Sequence, residues 1–125
     1  MTLITLTHSE VVEFDHDVLA DLCQRHGTAA EAHIALILSE VEDLLALASV
    51  QVDAGQHAGL SRSCTDLVWL ARMIGMRTMV DAVTAVQDCL SRGDAAALPA
   101  CASRMLRLGR PEAIDHWTVR HNTVA

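Results

Sequence analysis

Apolar residues recur along most of the chain in steps of three and four, the period of helices that bury one face. The longest run covers 28–52, where Ile34, Ile37, Leu38, Val41, Leu44, Leu45 and Ala48 form one stripe, and Glu31, Glu40, Glu42 and Asp43 mostly fall off it. Asp53, Ala54 and Gly55 interrupt the stripe, which predicts a tight connection to the next helix. That helix is predicted over 56–74, with Leu60, Cys64, Leu67, Ala71 and Ile74 at alternating steps of four and three, a heptad-like seam. Gly75 follows where a left-handed cap residue is expected. Helices over 77–92 and 94–108 carry Val80, Val83, Val86 and Leu90 on one face, then Leu98, Cys101, Met105 and Leu108. Gly93 separates the two, Asp94 is placed to cap the second, and Pro99 lies close to its first turn.

A shorter leading helix is predicted over 15–26, with Asp15 or Asp17 as the cap, Val18, Leu19 and Leu22 as the apolar stripe, and Gly27 as the stop. Its stripe is too short to hold without a partner. Four long amphipathic segments joined by short connections predict an all-α fold, an antiparallel up-down four-helix bundle with a short leading helix. The bundle is expected over 13–109. Residues 1–12 alternate weakly and read as an N-terminal arm, extended or disordered, and 110–125 read as a C-terminal tail anchored by Trp117.

Composition fits this picture. A chain of 125 residues is the size of one domain and needs no disulfide or metal to hold it. Its only aromatic residues are Phe14, Trp69 and Trp117, so Leu, Ala, Val, Ile and Met must fill the core, a set suited to helices rather than strands. Nine arginines, no lysine and sixteen carboxylates give a formal charge of −7, which argues against nucleic acid and anionic membranes and toward protein partners. Cys23, Cys64, Cys89 and Cys101 form no C-x-x-C pair and read as small, reduced core residues. Residues 1–12 have neither the basic start nor the apolar run of a secretion signal, so the expected compartment is the cytoplasm.

Thr65, Asp66, Leu67, Val68, Trp69, Leu70, Ala71, Arg72, Met73, Ile74 and Gly75 carry the most specific pattern. The segment resembles the acceptor helix of histidine phosphotransfer (HPt) domains, which reads His-x-Leu-Lys-Gly-Ser-Ala-x-x-Leu-Gly. Leu67, Ala71, Ile74 and Gly75 match without a gap, whereas Thr65, Val68 and Trp69 replace the histidine, the lysine and the first glycine. The order of helices over residues 14–108, with turns at Gly55 and Gly93, is similar to that of the family as well. The resemblance implies an HPt-like bundle and a place in a two-component phosphorelay, where the family's histidine takes a phosphoryl group from one receiver domain and gives it to another.

Each chemical role in that motif is altered here. Threonine has a hydroxyl of very high pKa and no adjacent base; it is a poor nucleophile and would form a stable ester instead of a transferable phosphoramidate. Val68 removes the cation that offsets phosphate charge, and Trp69 fills the space in which a receiver would dock. Thr65 is expected to face outward and bond back to its own turn. The resemblance therefore implies a non-phosphorylatable module that binds a receiver domain or a sensor kinase through Thr65, Val68 and Trp69, with Arg62 and Arg72 meeting an acidic rim or balancing the acidic surface. Met73, Met76 and Met79 are candidates to extend the apolar patch, some of them exposed.

Two other readings stay open. A displaced histidine could accept phosphate: His57 lies near the face of Thr65 but roughly 12 Å away at 1.5 Å per residue, and His33 sits on the preceding helix without a motif around it. Alternatively, the chain is a self-associating bundle that buries Trp69 against a second copy. No phosphate-cradling, dinucleotide, zinc-protease or serine-hydrolase motif is present, so no enzyme and no cofactor are expected. His116 and His121, five apart, are wrongly spaced for two metal ligands on one helical face, and no metal is expected. The Glu40, Glu42 and Asp43 cluster reads as a solvated face, and the oligomeric state as monomer or weak homodimer.

Overall fold

The computed structural model describes residues 10–114. The expectations placed on Trp117, His116 and His121 lie outside them. Among the described residues the chain is all-α, with α1 at His16–His26, α2 at Ala30–Ala54, α3 at His57–Met73, α4 at Arg77–Arg92, α5 at Leu98–Leu108 and a single turn, α6, at Pro111–Ile114. Asp15 caps α1 by accepting the Asp17 and Val18 amides at 2.9 and 3.4 Å. A tight 3-10 turn over Gly27–Ala29 takes up the residues expected to start α2. α2 packs on α3, α3 on α4 and α4 on α5, and α5 returns to touch α2. No helix among the described residues is long and apolar enough to cross a membrane.

The helix seams meet in one core. Ile34, Ile37, Val41, Leu45 and Ala48 of α2 face Leu60, Cys64, Leu67 and Ala71 of α3, with Met79, Val83 and Val86 of α4 and Met105 and Leu108 of α5 completing it. Where α2 and α3 approach, the Ser63 hydroxyl donates to Gln51 Oε1 at 2.8 Å, and both side chains are buried. Gly59 makes this approach possible, since a Cβ there would lie 2.7 Å from Gln51 Nε2. A polar pair satisfied within the core fixes the register of the two helices more sharply than apolar contacts alone.

Three expectations are corrected. The last long helix starts at Leu98, not at 94, because Pro99 has no amide to donate and its ring would clash inside a helix already under way; it is accommodated only in the first turn. Asp94 instead caps the intervening turn by accepting the Ala97 amide at 3.1 Å. The core also extends beyond the limits 13 and 109. Val12 is fully buried and its amide donates to the Ala113 carbonyl at 2.8 Å, while Ala113 and Ile114 are buried too. Finally, Cys23 is exposed, because Val18, Leu19 and Leu22 take the inner face of α1.

The N-terminal segment closes one end of the molecule. Phe14 forms an antiparallel bridge with Met76, the Asp15 amide donates to the Gly75 carbonyl at 2.7 Å, and the Arg77 amide donates to the Glu13 carbonyl at 2.9 Å. Glu10 clamps the same segment to α5 through two hydrogen bonds from Arg104, at 3.0 and 2.9 Å. Gly75 adopts φ +70° at this junction, the left-handed cap anticipated for it.

Candidate partner-binding surface

The seam of α3 decides which of its residues face outward. With Leu60, Cys64, Leu67 and Ala71 buried, Thr65, Val68, Trp69 and Arg72 fall on one outer row at helical spacing. Thr84 and Gln87 of α4 form the opposite wall, and together with Asp66 these residues line an open groove of about 630 Å³. Val68 is half-buried at its floor. Trp69 stands at its edge with 71% of its surface exposed.

On the other side of Trp69 a second groove of about 400 Å³ is lined by Glu40, Asp43 and Leu44 of α2 with Asp66, Trp69 and Leu70. The indole is thus a ridge between two depressions that share Asp66, one walled also by Thr65, Thr84, Gln87 and Arg72, the other by Glu40 and Asp43. Met73, one turn farther along α3, is 39% exposed. A tryptophan this exposed leaves a large apolar area in water, and such residues are enriched where partners bind.

Thr65 has the geometry of an inert helix residue. Its hydroxyl donates to the Ser61 carbonyl of its own turn at 3.2 Å, and its oxygen lies 3.5 Å from Gln87 Nε2. The proton that a base would have to remove is already engaged by the backbone. Asp66 lines the same groove but is not the acceptor of that hydrogen bond. With its proton directed to its own helix, the hydroxyl leaves a neutral polar surface in the groove.

Of the residues proposed from sequence, Thr65, Val68, Trp69 and Arg72 come together in one groove. Arg62, also exposed, lies one turn before Thr65 and does not line it. Met76 and Met79 are completely buried, which corrects their candidacy for the patch: Met76 is bridged by Phe14, and Met79 belongs to the core face of α4. His57 is exposed at the first turn of α3. His33 is half-buried, its ring stacked on that of His26 with centroids 4.4 Å apart. Among the described residues no three His, Cys, Asp or Glu side chains gather as a metal site. Sequence reasoning missed Thr84 and Gln87, whose signal is their i, i+3 spacing beside the valine seam of α4, and missed that Glu40 and Asp43 face Trp69.

No protein-family model, no curated protein and no solved structure matches this chain.

Proposed function

We propose that this chain is an HPt-like antiparallel four-helix bundle that binds a receiver domain or a sensor kinase of a cytoplasmic phosphorelay without carrying phosphate. The observation that carries the reading is the exposed Trp69, one turn from a Thr65 whose hydroxyl is engaged by the Ser61 carbonyl. The order of packing from α2 to α5, with connections of a few residues, supports the bundle. Val68 and Trp69 supply apolar contact, Arg72 a cation at the groove's end, and Thr65 a neutral surface where the family's histidine would stand. A bound receiver would be held and not dephosphorylated, which makes the module a competitor or an adaptor.

Self-association is the second reading, favoured by Leu36, Leu47 and Val50, which stand on the outer face of α2 at 62%, 48% and 61% exposure. Sedimentation at micromolar concentration separates the two, because a stable dimer that buries Trp69 supports self-association. For the favoured reading, the protein is incubated with phosphorylated receiver domains from its source cell. The expected result is a complex with one receiver or kinase and no acid-labile, base-stable label on the chain. Label of that kind would indicate an active phosphohistidine and overturn the proposal.

A further inference from the structure

Two cysteines that play no part in the partner surface are brought together by the turn between α4 and α5. Gly93 ends α4 with φ +65°, the Asp94 amide donates back to the Cys89 carbonyl at 2.9 Å, and Asp94 caps the turn that leads into α5. The chain reverses so that Cys89 and Cys101, twelve positions apart, face each other, and the Cys89 thiol donates to Cys101 Sγ at 3.6 Å. A disulfide needs its sulfurs about 2.05 Å apart, and at 3.6 Å the two are already in contact. Cys89 is buried and Cys101 half-buried, which makes Cys101 the more accessible of the two. Neither other cysteine has such a partner: Cys64 is sealed in the core and Cys23 stands exposed on α1.

We propose that Cys89 and Cys101 form a reversible dithiol–disulfide site, oxidised by hydrogen peroxide, that staples α4 to α5. Cys101, as its thiolate, attacks one peroxide oxygen; the O–O bond breaks, Cys101 becomes a sulfenic acid, and the departing hydroxide takes up a proton as water. The Cys89 sulfur then attacks Cys101 Sγ, its proton leaves with the hydroxyl of the sulfenic acid as a second water, and the S–S bond forms. Two thiols and one peroxide give one disulfide and two waters, the sulfurs losing the two electrons that the peroxide oxygens gain. Burial first, and then the contact with Cys101, raise the pKa of Cys89. A dithiol reductant reverses the bond. This site stands independently of the partner proposed above.

The test uses the full-length reduced protein, treated with a small excess of hydrogen peroxide, denatured, alkylated and digested without reductant for mass spectrometry. Two of the four thiols are expected to disappear in a monomeric product, with the Cys89 and Cys101 peptides linked, and dithiothreitol should restore all four. A Cys23→Ser variant, which lacks the exposed thiol, should give the same linked pair. Cys101→Ser should give none, with Cys89 still alkylated. The linked form should melt several degrees above the reduced form, because the bond closes a loop in the unfolded chain. Survival of all four thiols, a disulfide between any other pair, or a linked form that melts below the reduced one overturns the assignment.

Discussion

Replacing Gly75 by alanine tests how the end of α3 is held. Its φ of +70° is a conformation that costs an L-residue about 1–2 kcal/mol. A methyl group there would also lie 3.1 Å from Val18 Cβ and 3.2 Å from both Cβ and the backbone nitrogen of Asp15. None of these atoms can swing aside as the tip of a flexible side chain does. Relief must come from moving Asp15, whose amide donates to the Gly75 carbonyl and whose carboxylate caps α1. Overpacking of this kind adds about 2 kcal/mol, for roughly 3–4 kcal/mol in total. Gly93 is the control: its φ is +65°, but a methyl group there meets nothing within 4 Å. Gly93→Ala should therefore cost only about 1–2 kcal/mol. At about 4 °C per kcal/mol for a domain of this size, calorimetry should find Gly75→Ala melting roughly 8 °C below Gly93→Ala. Equal melting temperatures would mean that the contacts with Asp15 and Val18 carry no cost.

Two further predictions concern the core. Ser63→Ala leaves the buried Gln51 oxygen without its hydroxyl donor and should cost about 1–3 kcal/mol in urea unfolding, whereas adding Gln51→Leu to that variant should recover part of the loss; independent, additive effects would contradict the pairing. Cys64 is fully buried and its thiol is pushed up to about 11 by desolvation. Its contribution is present in full below the ordinary thiol range, where folded and unfolded chains both keep the proton. As pH rises from that range to about 11 the unfolded chain ionises first, and stability falls by roughly 2–3 kcal/mol. Unfolding measured across that window should show a flatter decline for Cys64→Ala, and an unchanged slope would refute it. Exposed Cys23 should react quickly with a thiol reagent while Cys64 reacts only through opening of the core.

Local periodicity made the seams of the long helices legible. Leu60, Cys64, Leu67 and Ala71 are buried where their spacing places them, because a helix turns its residues by a fixed angle whatever lies around it. The outward row of Thr65, Val68, Trp69 and Arg72 follows from the same geometry. What local pattern does not contain is the identity of the covering element. Val12 and Met76 are buried in the core, Val12 joined to Ala113 through its amide and Met76 bridged by Phe14, and these contacts join distant parts of the chain. The walls of the two grooves are of this kind as well: Thr84 and Gln87 on one side, and Glu40 and Asp43 on the other, reach Trp69 only once α2, α3 and α4 have packed. The later start of α5 was within reach, since Pro99 already bars a helix that begins at 94.

The proposed role of Trp69, anchor of a binding surface rather than structural residue, is tested by calorimetric titration of receiver and kinase domains from the source cell into wild type and Trp69→Ala. One domain should bind the wild type and bind Trp69→Ala at least about tenfold more weakly, as the loss of an aromatic anchor worth about 2 kcal/mol requires. Since Trp69 is 71% exposed, the variant should keep the wild-type melting temperature. Equal affinity for the two proteins, or no binding of any receiver or kinase domain, would contradict it.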